Sequence, residues 1–182
     1  IQDSLVGSEM CIRDSSNNQV GLVISASHNL FEDNGIKFFN KNGQKFSEEL
    51  EKRIEVKLTE EMVPVDSINL GKATRMSDAQ ERYIEFCKLP FTDLDLSDLN
   101  ILLDCANGAT YSVAPKVFTE LGANIETVAA NPDGININQN CGSTNPDFLK
   151  DQMSKGNYDM GIAFDGDGDR ILIISSEGNI LD

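Results

Sequence analysis

From Val20 onward the chain alternates short apolar runs with amphipathic stretches. Val20–Ile24 reads as a buried strand and Ile36–Phe39 as its successor, followed by strand-like runs at 101–104, 124–128, 158–164 and 171–174. Between them, Leu50, Ile54 and Leu58 recur at helical spacing and predict a helix over 47–61. A second helix is predicted over 79–89, with Tyr83, Ile84, Phe86 and Cys87 on its apolar side. A third covers 112–121 and ends at Gly122, a good C-cap, and a fourth covers 146–155. The acidic, turn-rich segment 89–98 is read as a linker. The Asn- and Gly-rich segment 131–145 is read as structural turns, with a binding loop as the alternative. Strands alternating with helices predict an α/β fold, with mixed or parallel sheets flanked by helices.

One loop changes this picture from architecture to chemistry. Asp165-Gly166-Asp167-Gly168-Asp169-Arg170 places three carboxylates at every second position between two apolar runs. The glycines allow a tight turn, and three converging anions repel unless a countercharge joins them. A hard divalent cation with oxygen ligands suits such a cluster, Mg²⁺ above all. Position at the carboxyl end of a buried strand is where open α/β sheets bind ligands. An EF-hand would need Gly at the sixth position and Glu at the twelfth, where this chain has Arg170 and Ser176.

A second unusual segment lies far upstream. Ser25-Ala26-Ser27-His28-Asn29 follows the first strand, and Asn34-Gly35-Ile36-Lys37 follows closely. Ser27 stands beside the single histidine of the chain. Neighbouring side chains seldom face each other and no third orienting group is evident, so a Ser-His-Asp triad is a poor reading. A hydroxyl that carries a phosphoryl group reads better, because such chemistry relies on a metal and cationic donors rather than a strong base.

Together these segments resemble the α-D-phosphohexomutase family. There, a serine in a (T/S)-A-S-H-N-P loop carries the transferred phosphoryl group, and a DGDGDR loop holds the Mg²⁺ that also touches that serine. The resemblance implies that Ser27 is the phosphoserine and that Ser27, Asp165, Asp167 and Asp169 bind the metal. Lys37 is its proton-handling candidate, His28 is a further catalytic candidate or a hydrogen-bonding loop residue, and Arg170 orients the acidic loop or contacts phosphate. Leu30 stands where the family usually has proline, which bears on loop rigidity more than on chemistry. The stretches DAQERYIEFCK, DCANGATYSVAPKVF, PDGININQNCGST and GIAFDGDGDR are similar to the branch of that family acting on glucosamine phosphates. That branch interconverts glucosamine 6-phosphate and glucosamine 1-phosphate through a sugar bisphosphate, which is also its activator. The alternatives are a sister enzyme acting on mannose or glucose phosphates, and a non-catalytic domain binding a divalent metal or a sugar phosphate.

The resemblance also sets expectations for organisation. Residues 16–92 would be the latter part of a first domain, carrying the phosphoserine loop. Residues 93–182 would be most of a second, carrying the metal loop. Third and fourth domains, which choose the sugar and grip its phosphate, fall outside the chain, so the piece alone is expected to be inert. A homodimer is one assembly the full-length enzyme would adopt. Residues 5–14 (LVGSEMCIRD) resemble a translated sequencing adapter, and 1–15 are therefore expected to be a non-native prefix.

Composition narrows the partners. The 182 residues carry 30 acids against 15 Lys and Arg, a net charge of −15. Leaving out Asp3, Glu9, Asp14 and Arg13 of the prefix makes it −13. Without a basic stripe, nucleic acid is a poor partner, and no run approaches the ~18 apolar residues of a membrane span. A cytoplasmic enzyme with a phosphosugar substrate is the expectation. Cys87, Cys105 and Cys141 show neither disulfide nor zinc spacing and are expected to be reduced.

Overall fold

The structure, a computed structural model, describes residues 20–181. The expected prefix at 1–15 lies outside the described residues.

A two-stranded antiparallel hairpin comes first, β1 (Val20–Ser25) and β2 (Gly35–Asn40). Its register pairs Ser25 with Gly35, so the Ser27-His28 segment forms the loop at the hairpin's mouth. Lys37, opposite Val23, sits just inside that mouth. The expectation of a fully buried first strand needs correction. Burial alternates along β1: Gly21 and Val23 are buried while Val20, Leu22 and Ile24 are exposed, the pattern of a strand covered on one face only. After the hairpin, α1 (Glu48–Leu58) starts at Ser47, whose hydroxyl accepts the Leu50 N–H at 3.4 Å, a serine N-cap.

The larger unit is a five-stranded sheet in the order β4-β3-β5-β6-β7, formed by β3 (Asn100–Asp104), β4 (Asn124–Val128), β5 (Met160–Phe164), β6 (Ile171–Ser175) and β7 (Ile180–Leu181). Strand β3 runs parallel to both β4 and β5. From β5 onward the pairing turns antiparallel. The sheet is therefore mixed, and the cause is loop length. Only Asp165 to Arg170 separate β5 from β6, whereas a parallel crossover takes a dozen or more residues.

Helices cover both faces of β3. Ile101 and Leu103 pack with Cys105, Ala114, Ala123 and Ile162 beneath α3 (Ala114–Glu120), and Leu102 packs with Leu149, Met153, Ala163 and Ile174 beneath α4 (Pro146–Met153). This two-sided burial explains why NILLD reads as a continuous apolar run. A side chain at Gly161 would collide with the Met153 sulfur, so glycine there lets α4 lie close to the sheet. Helix α2 (Ala79–Lys88) buries Ile84 and joins α3 through a Lys88–Glu120 ion pair. The third helix is shorter than expected because a 3₁₀ turn at Ala109–Ser112 takes up its predicted start. Gly122, at φ 102°, ends it as predicted.

The chain leaves β3 toward β4 on one side and returns to β5 on the other. Their adjacent carboxyl ends, Asp104 and Phe164, therefore flank a topological switch point, the usual ligand crevice of such sheets.

Candidate functional site

The acidic loop opens at this switch point. Oxygens of Asp165, Asp167 and Asp169 all lie within 4.8 Å of one another, near the spread of ligands about 2.1 Å from a shared Mg²⁺. Asp165 is fully buried. Its Oδ1 accepts the Arg170 N–H at 3.1 Å, while Asp165 Oδ2 and Asp167 Oδ1 are buried with no hydrogen-bond donor. Buried carboxylate oxygens without donors are costly, and a cation satisfies both. Burial, reinforced by the charges of Asp167 and Asp169, holds the Asp165 carboxyl above the ordinary range. Burial also pushes Asp167 up, but hydrogen bonds from Lys37 and Ser25 outweigh it and leave that carboxyl below the ordinary range.

The hairpin mouth reaches this loop. Lys37 Nζ lies 2.8 Å from Asp167 Oδ2, and Ser25 Oγ donates to the same oxygen at 3.1 Å. Ser25 Oγ also accepts the Ser27 N–H at 2.9 Å, so Ser27 is two hydrogen bonds from Asp167. Ser27 has φ 52°, a left-handed conformation uncommon for a residue with a Cβ. In that conformation Ser27 Oγ lies 3.4 Å from His28 Nδ1. The neighbouring side chains thus face each other, contrary to the sequence reading, at a distance long for a hydrogen bond. Arg170 contributes through its main chain: its N–H binds Asp165 Oδ1, its carbonyl accepts the Asp165 N–H at 3.3 Å, and its side chain is exposed.

Two participants carried weaker signals. Ser25 had the signal of any small polar residue beside a loop, and nothing in its type distinguished it from Ser27. Asn138 lay in the segment read as turns, yet its side chain crosses to the serine loop and donates to the Ser27 and Asn29 carbonyls, each at 2.8 Å. Between hairpin and sheet lies a cleft of about 390 Å³ whose lining includes Ser25, Asn34, Asn107, Tyr111, Asn136 and Asp167.

Asp104 braces the floor of the site. It is fully buried, and its two oxygens accept the Ala106 N–H at 2.9 Å and the Gly142 N–H at 2.6 Å. Burial pushes its carboxyl up, against the pull of these two donors. Asp104→Ala strands two buried N–H groups, each costing about 1–3 kcal/mol. Denaturant unfolding of the complete protein should show a clear fall in midpoint, and an unchanged midpoint would contradict this bracing role. Burial pushes the nearby Cys105 and Cys141 thiols to about 12, which keeps them as unreactive thiols.

Comparison with known proteins gives the chain its relatives. Residues 81–178 match the family model described as phosphoglucomutase/phosphomannomutase, alpha/beta/alpha domain II, and residues 9–63 match domain I. The phosphoglucosamine mutase of Legionella pneumophila (strain Corby) is 54% identical over 163 residues, covering 89% of this chain and 36% of the relative. That of Cronobacter sakazakii is 53% identical over 165 residues, covering 90% and 37%. This chain thus spans about a third of the length of these relatives. Among solved structures, a phosphoglucomutase/phosphomannomutase family protein from Burkholderia thailandensis aligns with TM-score 0.65 and 26% identity, over 88% of this chain and 34% of that one. A Thermus thermophilus protein assigned as a phosphomannomutase aligns with TM-score 0.71 and 22% identity, over 96% and 40%.

Proposed function

The chain belongs to the phosphoglucomutase/phosphomannomutase family, and from that premise we propose that it is the serine-and-metal portion of a phosphoglucosamine mutase. In this reading Ser27 carries the phosphoryl group, Asp165, Asp167 and Asp169 hold Mg²⁺ together with the Ser27 group, and the substrates are glucosamine 6-phosphate and glucosamine 1-phosphate. The observation that carries it is the junction of hairpin mouth and acidic loop, where Lys37 and Ser25 both reach Asp167.

The chemistry divides among the chain's own residues. Phosphorylated Ser27 presents its phosphorus to a sugar hydroxyl. As the new sugar O–P bond forms, the Oγ–P bond breaks, and the proton given up by the sugar hydroxyl ends on Ser27 Oγ, which is released as a hydroxyl. The resulting bisphosphate turns over and returns its other phosphate to Ser27 Oγ. Mg²⁺ on the three carboxylates would supply positive charge to the phosphoryl oxygens. His28, against Ser27 Oγ, orients that oxygen. Lys37 is an ammonium paired with Asp167, so it can take up the hydroxyl proton only after giving up one of its own. The Arg170 guanidinium, unlike its main chain, is available for a phosphate contact. A bound group with these needs asks the protein mainly for position and charge.

The substrate assignment is tested on the complete enzyme with a panel of hexose phosphates. The expected result is the highest kcat/KM on glucosamine 6-phosphate. A preference for mannose or glucose phosphates would move the chain to a sister activity, and turnover of none would leave a binding domain.

Metal affinity should also carry the mark of Asp165. Its raised carboxyl takes up a proton at higher pH than an ordinary aspartate, and the protonated form competes with Mg²⁺. Titration calorimetry at falling pH should therefore show affinity declining from above the usual carboxylate range. The rise in Tm on adding Mg²⁺ should shrink over the same interval. Affinity that stays flat down to the ordinary aspartate range would contradict the assignment.

A further inference from the structure

Asn138 is 8% exposed, and its amide nitrogen bridges two main-chain carbonyls of a loop more than a hundred residues earlier. Both bonds are 2.8 Å, and both end on the serine loop, at Ser27 and Asn29. The residue is itself firmly placed. Its backbone is left-handed at φ 56°, a conformation asparagine tolerates better than most, and its N–H donates to the Ala106 carbonyl at 2.8 Å. Ala106 is in turn held by the buried carboxylate of Asp104.

Gly166 of the acidic loop closes the cluster from the other side. A Cβ there would collide with the Ser27 carbonyl oxygen and lie 2.6 Å from Asn138 Nδ2. Serine loop, acidic loop and Asn138 therefore meet with no space for one more carbon.

We propose that Asn138 is a positioning residue that seats the Ser27 loop on the acidic loop and so fixes where Ser27 Oγ stands. The inference rests on the reading of Ser27 as the phosphoryl carrier. Charge is the reason an amide is needed. The side-chain ties from Ser25 and Lys37 both end on Asp167 Oδ2, an oxygen of the carboxylate cluster that would bind the cation. Those ties change whenever the charge on that cluster changes. The Asn138 bonds run from a neutral donor to neutral carbonyls and hold the loop through every charge state of the site. Misplacement of a reacting atom by about 1 Å costs on the order of a hundredfold in rate, so a loop held only from Asp167 would be poorly poised.

The test uses the complete enzyme with two variants. Asn138→Asp keeps shape and backbone preference but sets carboxylate oxygens against two carbonyls. Asn138→Gly removes the amide and accepts φ 56° without strain, which covers the chance that the first variant folds poorly. In both, amide hydrogen exchange across residues 25–30 should accelerate, with exchange in β3 and β5 unchanged. Turnover per folded enzyme should fall roughly tenfold to a hundredfold, while KM for the sugar phosphate and the Kd for Mg²⁺ stay within about threefold; the unchanged exchange in β3 and β5 separates this from general destabilisation, which would accelerate exchange there too. Unchanged exchange in 25–30 in both variants overturns the seating role, as does kcat within about twofold of wild type. A wild type that turns over no phosphosugar defeats the reading of Ser27 and with it the catalytic purpose. The exchange data then still decide whether Asn138 seats the loop.

Discussion

Ser27→Ala in the complete enzyme is expected to abolish interconversion of glucosamine 6-phosphate and glucosamine 1-phosphate, by on the order of 10⁴-fold or more. The reason is specific to the covalent route. If Ser27 Oγ is the atom that gives up and recovers the phosphoryl group, no other group in the site replaces it. Ser25 is the nearest alternative hydroxyl, but it is engaged between the Ser27 N–H and Asp167. Folding should be little affected. Alanine also carries a Cβ, so the left-handed backbone at φ 52° costs both residues alike, and among the described residues the side-chain partner lost is His28 at 3.4 Å. Mg²⁺ should still bind, because three carboxylates remain. Full turnover by Ser27→Ala would remove the phosphoserine from the mechanism.

The sequence made the two ends of this site legible because each carries a dense, unusual run of chemistry. Three aspartates spaced by glycines announce crowding that needs a cation, and the structure gathers their oxygens as that spacing requires. The strands were equally plain where both faces are buried, as in NILLD. Legibility failed where meaning depends on a distant partner. The exposed side of β1 looks apolar in sequence, and only the sheet tells which face is covered. The antiparallel turn of β6 follows from a short loop already visible in the sequence, but the helical rhythm elsewhere favoured parallel pairing. Asn138 is one of several asparagines in 131–145, and no local pattern marks it as the residue that crosses to Ser27. Ser25 carries no mark in the sequence because a hydroxyl that accepts one hydrogen bond and donates another looks no different from an idle one.

The second large effect concerns Asp165 and Asp167, which should respond oppositely when neutralised. Both Asp165→Asn and Asp167→Asn should weaken Mg²⁺ binding by at least roughly a hundredfold and depress turnover in parallel. Their metal-free stabilities should diverge. Burial holds the Asp165 carboxyl above its unfolded value, so ionised Asp165 destabilises the metal-free fold at neutral pH. Asp165→Asn removes that penalty and should raise the metal-free Tm near pH 7, with the gain fading as pH falls through the raised carboxyl. Burial acts on Asp167 too, but Lys37 and Ser25 hold it below its unfolded value, so its charge stabilises the fold above the unfolded carboxylate range. Asp167→Asn should lower the metal-free Tm near pH 7, and that difference should vanish only as pH drops through the depressed carboxyl. Neither variant should gain much from added Mg²⁺. Thermal melts with and without Mg²⁺ at several pH values separate these cases, and equal shifts of the same sign would contradict the assignment of the two carboxylates.

Binding of a cation and presence of a serine are each compatible with a domain that only holds sugar phosphates; a covalent phosphoserine is not. The most direct measurement is therefore the mass of the complete protein and of its Ser27-containing peptide after incubation with Mg²⁺ and glucosamine 1,6-bisphosphate. The expected result is one phosphoryl group on Ser27 of the wild type, none on Ser27→Ala, and loss of that group when excess glucosamine 6-phosphate is added. An active wild type whose Ser27 never carries phosphate would contradict the account.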